Sequence, residues 1–452
     1  MGKLPFCDIH KEERKSVKKL LTILLALAMV LACVPSVLAE ENEPITISFW
    51  HHRGSGAQYE CVTQAVETFN ETIGKEKGIV VEESFIGDYV TLFAQIQLAV
   101  QSGEAPNVVS AANTYVAYML EDDMIVDMAP LAEAEGYDIT GNLPEWMLEI
   151  GGNTDGEIHS LPYCRSTPLF YYNKAIANEL GIEIGDMITI DEMVAFGEAA
   201  MQKNDAGEVT RYGVEIFNDF GYYNAAWIYQ LGSEYIAEGG GSPSLEDGTM
   251  LKVLTDWRNW VDAGWCRPFD ATNAGDTAQT MFCNGELAAY INSCAGLGNL
   301  MIAAAETGVD VGVAMFPTYD PDNHVAEIGG ANISIIGADN SDEEIQASWE
   351  FIKFLMTDEE QYFNAKTSGY VAGTKSVAEY DEMVSFWAEK PEFKVAYDQM
   401  LSYGRGQETP FVAVSQDFTQ IVWDNVSLLI GEQSITPEEA VENIRSESED
   451  LW

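Results

Sequence analysis

The sequence predicts an α/β protein of two domains, whose mainly parallel sheets are covered on both faces by helices. Three observations carry this reading. β-rich runs alternate with runs of helical periodicity along the chain, the pattern that crossover connections between parallel strands produce. Apolar residues make up 47% of the chain and aromatics 11%, enough to fill sizeable cores and too many for a disordered chain. The 452 residues, about 413 of them after an N-terminal leader, suggest two domains.

Taken in order, Ile45 to Trp50 is a β-rich run, Gly54-Ser55-Gly56 a turn, and Val62, Val66 and Phe69 mark the helix that follows. Gly78 to Val81 with Ser84 to Ile86 supplies a second strand, Tyr89 to Val100 a helix, and Ala105 to Val109 a third strand. Leu169 to Tyr172 reads as a strand. Ile190 to Met201 reads as a helix capped by Thr189, with Glu192 placed to complete a capping box. Gly239-Gly240-Gly241-Ser242 is a loop, because helical patterning resumes at Leu251, where Leu254, Trp257, Trp260 and Val261 form one apolar face through Ala263. Ile328 to Ile336 is a further strand, and Ile345 to Leu355 a helix carrying Trp349, Ile352 and Leu355 on its core side. Ligands bind beyond the carboxyl ends of strands in such sheets, and Trp50, Tyr89 and Asn113 fall at or just after such ends.

The N-terminus reads as an export signal. Lys15, Lys18 and Lys19 precede an apolar run from Leu20 to Val34, about 15 residues, which is shorter than the roughly 20 a membrane-spanning helix needs. Val37-x-Ala39 favours cleavage after residue 39, whereas Val30-Leu31-Ala32-Cys33 resembles a lipobox that would place a lipid anchor on Cys33. Either route predicts an extracytoplasmic protein: secreted, cell-surface or periplasmic. The remaining chain carries 17 Lys and Arg against 70 Asp and Glu, a net of about −53, which repels nucleic acid and anionic membrane surfaces but not a neutral solute. Five cysteines remain (Cys61, Cys164, Cys266, Cys283 and Cys294), an odd number without a C-x-x-C pair, read mostly as small buried hydrophobes. No metal-ligand cluster or cofactor loop is present in the sequence; the adjacent His51 and His52 would point to opposite faces of a strand.

Distributed motifs then identify a relationship. They are Ser48-Phe-Trp-His51, Phe69-Asn70, Ile86-Gly-Asp-Tyr89, Gly103-Glu-Ala-Pro106, Leu161-Pro-Tyr-Cys-Arg-Ser166-Thr-Pro168, Phe282-Cys-Asn-Gly-Glu-Leu-Ala288, Ile328-Gly-Gly-Ala331, Trp349-Glu-Phe-Ile-Lys-Phe354 and Ser368-Gly-Tyr370. In order and spacing, across nearly all of the chain after the leader, they resemble the extracellular solute-binding proteins of ABC importers that include the maltose-binding and glycerol-3-phosphate-binding receptors, and most closely the latter branch. The resemblance implies a two-lobed, periplasmic-binding-protein-like fold of type II, with a ligand cleft at the hinge. Lobe 1 would comprise residues 40–166 and 327–372, and lobe 2 residues 167–326 and 373–452. The segment Ser166-Thr167-Pro168 would be the first crossover; proline fixes its own φ and restricts Thr167, which confines bending to few bonds.

By the same resemblance Tyr89, Ser166, Gly329, Gly330 and Tyr370 face the ligand. That set suits a polar ring: glycines admit it to backbone N–H groups, hydroxyls donate or accept, and an aromatic face packs on C–H bonds. Trp50 and Trp227 are candidate stacking platforms. Two positions depart from the glycerol-3-phosphate receptors: Asn113 stands where they carry a glutamate, and Phe411 aligns with an arginine that clamps phosphate. Arg165 and Arg405 are the cations at hand, but no bidentate clamp is recognisable, so a neutral mono- or oligosaccharide is the expected ligand. The implied partners are the permease subunits of the importer, for a monomeric, non-enzymatic receptor without cofactor. Alternative readings keep the fold with glycerol 3-phosphate, a glycerophosphodiester or a polyamine as ligand, or make the chain a secreted glycosidase with Glu157 and Asp219 as acid and base.

Overall fold

A computed structural model describes residues 43–452 except 152, 154, 155, 218, 238, 270–273 and 403–413. The leader with Cys33, and Arg405 and Phe411, lie outside the described residues. The α/β class holds, with the strands gathered into two sheets.

The first sheet has the order β2-β1-β3-β11-β4, formed by β1 (Ile45–His51), β2 (Ile79–Phe85), β3 (Val108–Ala112), β4 (Leu161–Ser166) and β11 (Gly329–Ile335). β1 runs parallel to β2, with Ile45 opposite Ile79, and parallel to β3. Helices Gly56–Phe69 and Tyr89–Ser102 make the crossovers. The alternation of β1 buries Ile47 and Phe49 against Val62, Phe69, Val81 and Phe351 on one face. Trp50, half-buried, joins the cluster of Leu92, Ile96 and Tyr115 on the other.

The second sheet has the order β10-β5-β9-β7-β6, with β8 paired to β7: β5 (Pro168–Asn173), β6 (Gln202–Lys203), β7 (Val209–Glu215), β8 (Cys266–Arg267), β9 (Leu287–Ser293) and β10 (Val311–Met315). The helix Ile190–Ala200 starts at the capping box of Thr189 and Glu192, and Thr249–Asp262 buries Leu254, Trp257, Trp260 and Val261 as its pattern requires. Those tryptophans join Trp227, Trp265, Phe316 and Phe418 in one core.

Both sheets are mixed. β11 lies antiparallel between β3 and β4, and β5 lies antiparallel to both β9 and β10. The reason is connectivity. β4 leads through Thr167 directly into β5 of the other sheet, and residues 316–328 bring the chain back into β11, so these strands enter from the opposite end rather than through a helical crossover. The two passages are fastened together at Gln399, whose amide donates to Thr167 Oγ1 (2.6 Å) and the Pro168 carbonyl (2.8 Å) and accepts the Phe316 N–H (2.7 Å). Val371 and Arg165 exchange backbone hydrogen bonds beside this point, 2.7 and 2.9 Å long.

All five described cysteines are buried and free. No described helix is long and apolar enough to cross a membrane.

Candidate functional site

The carboxyl end of β1 sends its two histidines apart. His51 is fully buried, with Nε2 2.8 Å from Glu83 on β2. His52 emerges on the other side, its ring stacked on Tyr89 at 4.1 Å between centroids and its Nε2 3.4 Å from the Tyr370 hydroxyl. Tyr89 is placed there because it opens a helix capped by Asp88, whose carboxylate accepts the Thr91 N–H at 2.8 Å. Behind Tyr370 lies Arg53, also fully buried. Its guanidinium stands 4.7 Å from the ring centroids of both Tyr370 and Tyr163, and Nη1 donates to Asn364 at 2.9 Å.

A second group forms where β11 lies between β3 and β4. Arg165 Nη1 donates to Asn113 Oδ1 at 3.0 Å, its Nη2 donates to Asn332 Oδ1, and Asn332 Nδ2 donates to the same Asn113 oxygen at 2.6 Å. A carboxylate at position 113 would have paired with Arg165 as an ion pair; the asparagine leaves a neutral acceptor, shared by two donors. Gly330 pairs with Arg165 ahead of the register shift between Ala331 and Asn332 and has φ +103°, a conformation that favours glycine; a Cβ there would lie 2.1 Å from the Cys164 carbonyl oxygen.

The third group joins the two sheets. Tyr222, in a π-helical turn over Phe220–Asn224, lays its ring on Gly329 and points its hydroxyl to Ser293 Oγ at 3.0 Å and to Ser166. Its neighbour Tyr223 donates to Asn292 at 2.9 Å and accepts the Ser293 N–H at 3.1 Å.

The structure therefore brings Tyr89 and Tyr370 together through His52, Asn113 and Gly330 through Arg165, and Ser166 and Gly329 through Tyr222. Trp50 packs against the same cluster as Tyr89. Trp227 stands apart: it is fully buried, stacked on Phe316 at 5.2 Å, with its indole N–H donated to the Pro317 carbonyl at 2.9 Å. His52, Arg53, Asn332 and Ser293 are residues that sequence reasoning passed over; only for Ser293, closing a strand with a hydroxyl, was there a local signal.

Residues 64–395 match the model of a family described as bacterial extracellular solute-binding protein. The chain belongs to the bacterial extracellular solute-binding proteins. Among curated relatives it is similar to the sn-glycerol-3-phosphate-binding periplasmic protein UgpB of Rhizobium meliloti (strain 1021), 26% identical over 367 residues that cover 78% of this chain and 81% of that one. Among solved structures it resembles UgpB from Mycobacterium tuberculosis in complex with glycerophosphocholine, with a TM-score of 0.76, 20% identity, and coverage of 89% of this chain and 96% of that one. The GacH receptor of Streptomyces glaucescens, solved unliganded and with acarbose, gives a TM-score of 0.74 at 17% identity, covering 90% and 99%. These structural likenesses establish the fold.

The electrostatics of this solute-binding protein's candidate site favour neutral groups. Burial holds His52 well below the usual imidazole range, with Arg53 and His51 adding to the effect, so it is uncharged near neutral pH. Burial likewise raises the phenols of Tyr222 and Tyr370, which stay protonated and can donate. Of the two carboxylates weighed as a glycosidase pair, Glu157 is exposed and bonded to His159 at 3.1 Å, while Asp219 stands at the start of the Tyr222 turn, where its backbone carbonyl accepts the Tyr222 and Tyr223 N–H groups at 3.2 and 2.7 Å. Among the described residues no cluster suited to a metal ion occurs. An apolar cavity of about 420 Å³ beside Val384, Trp387 and Tyr397 contains none of the expected site residues, and the one charged side chain lining it, Lys394, is paired with Asp398.

Burial pushes Asp219 up to about 6. Folding therefore holds its proton more tightly than the unfolded chain does, and this group's contribution to stability falls as pH rises from about 4 through 6. His51, His52 and His324 are shifted down and act in the opposite sense, so the effect is read as a difference. Asp219→Asn is expected to gain stability relative to the parent between pH 5 and pH 8, measured by guanidinium denaturation at each pH; a difference independent of pH would show that Asp219 titrates normally.

Proposed function

We propose that the chain is the extracytoplasmic receptor of an ABC importer, which captures a mono- or oligosaccharide by closure of two lobes and delivers it to the permease. The observation that carries this reading is the convergence of hydrogen-bonding groups and ring faces, uncharged apart from Arg165: Tyr89, His52 and Tyr370 beside Asn113, Arg165, Gly330 and Ser166. Sugars are bound by such sets, because hydroxyls need partners that both donate and accept and C–H faces need aromatic rings. The ligand residues are then Trp50, Tyr89, Asn113, Ser166, Gly329, Gly330 and Tyr370. Trp227 contributes by shaping the core beneath the site. The lobes are residues 40–166 with 327–372 and residues 167–326 with 373–452, with the leader removed after Ala39 on export. The protein acts by binding alone, without turnover.

One observation favours a second ligand class. Arg165 is fully buried within the candidate site, and the similar UgpB proteins are named for glycerol 3-phosphate, so glycerol 3-phosphate or a glycerophosphodiester is the alternative. A thermal-shift panel of maltose, maltotriose, monosaccharides, glycerol 3-phosphate, glycerophosphocholine and spermidine separates the readings. A ligand at 100 times its Kd adds about 2.7 kcal/mol, a readily measured shift. A sugar is expected to raise the melting temperature. A response confined to the phosphate compounds would replace the carbohydrate reading, and hydrolysis of any panel sugar would overturn the receptor reading itself.

A further inference from the structure

We propose that Tyr222 is a built-in occupant of the solute site, a side chain that draws the two sheets together when no solute is bound and that an incoming solute must displace. The inference rests on reading the groups around Ser166 and Gly329 as the solute site. Tyr222 follows β7 of the six-stranded sheet and packs on Tyr223 and the core of that sheet, yet it also reaches residues of the other sheet. Its ring covers Gly329 so closely that a Cβ at that position would fall 2.4 Å from Cε2. Its hydroxyl meets Ser166 at the end of β4 as well as Ser293 at the end of β9, 3.0 Å away. One phenol thus stands between the terminal residues of strands from both sheets, able to donate or to accept, as a solute hydroxyl would do in the same place. Ser166 is left 4% exposed, covered by the protein itself.

The adjacent Tyr223 explains how Tyr222 is presented. Tyr223 is bonded to Asn292 and to the Ser293 N–H, both on its own sheet, and the Asp219 carbonyl accepts the N–H groups of Tyr222 and Tyr223. The turn is therefore anchored on one side, and Tyr222 is the residue it projects across. A solute that supplies its own hydroxyls and ring face replaces these contacts; one that does not cannot compete with the tyrosine. Apparent affinity is then set by the fraction of molecules in which Tyr222 has left the site.

The test needs no solute. Small-angle scattering of the whole chain is measured without ligand for the parent, Tyr222→Phe and Tyr222→Ala. Tyr222→Ala is expected to increase the radius of gyration by about 1 Å over the roughly 22 Å of a compact chain this size. Tyr222→Phe, which keeps the ring on Gly329 and loses the phenol bridge, should fall between. Gly329→Ala, whose methyl group collides with the Tyr222 ring, provides the same release from the other side and keeps the test decisive if Tyr222→Ala does not fold, foldedness being checked by near-ultraviolet circular dichroism. Folded variants whose profiles superimpose on the parent's would overturn the proposal, as would a parent already as expanded as its variants. A panel without a binding sugar would defeat the carbohydrate reading and leave this result readable.

Discussion

Trp227→Ala is expected to lower folding stability by about 3–5 kcal/mol, the range for truncating a fully buried large aromatic side chain. The side chain has no exposed surface, stacks on Phe316 with an interplanar angle of 27°, and meets Trp260 edge-on at 5.9 Å. Truncation opens a cavity among rigid aromatic neighbours that cannot collapse into it, and strands the Pro317 carbonyl that the indole N–H serves. Trp227→Phe separates the two contributions: the stack is largely retained, and the lost hydrogen bond alone should cost about 1–3 kcal/mol. Guanidinium denaturation gives the result as a shift in midpoint at unchanged slope. A variant of near-parental stability that binds solute poorly would return Trp227 to the role of stacking platform.

Trp50 and Trp227 show where local sequence is informative and where it is not. Both are aromatic residues that the sequence offers equally well as stacking platforms. Trp50 sits on a strand whose alternation is fixed by Ile47 and Phe49, so its direction was legible, and it packs against the same cluster as Tyr89. The burial of Trp227 depends on Phe316 and Pro317, about ninety residues further on, and nothing near Trp227 encodes them. The histidines divide in the same way. Their divergence follows from strand geometry, whereas the stacking of His52 on Tyr89 depends on where a helix begins after a different strand.

Helices and their caps were the most legible features, because Thr189 with Glu192, and the spacing of Trp257 and Trp260, are signals contained within one element. Strand direction was not. Alternating strands and helices read as parallel pairs, and the antiparallel entry of β5 and β11 follows only from passages between two sheets. The cluster of Asn113, Arg165 and Asn332 is likewise non-local, joining the start of a helix, the end of β4 and the middle of β11 across 52 and 167 residues. Family resemblance supplied Gly330, and the structure gives the physical reason: its φ of +103° favours glycine, and the Cys164 carbonyl leaves no room for a side chain.

Gln399→Leu is the second large effect expected, a loss of about 2–4 kcal/mol, because a buried donor or acceptor deprived of its partner costs about 1–3 kcal/mol. Gln399 is fully buried, and leucine nearly fills its volume, so packing is not the issue. What disappears is the amide that ties Thr167 and Pro168, on the outward passage between sheets, to Phe316 at the start of the return. Thr167 can turn its hydroxyl elsewhere; the Phe316 N–H and the Pro168 carbonyl cannot move without shifting a strand. Gln399→Glu sharpens the test. Its carboxyl keeps an acceptor for Phe316 but, when ionised, faces the Pro168 carbonyl with no proton to offer, so burial should raise its pKa and the folded state should hold the proton. The stability gap between Gln399→Glu and the parent is therefore expected to be small at pH 5 and to widen by pH 8, followed by guanidinium denaturation at both. A gap that does not change with pH would mean that the side chain has left the clasp. Near-parental stability of Gln399→Leu would mean that the two passages are held by their strands alone.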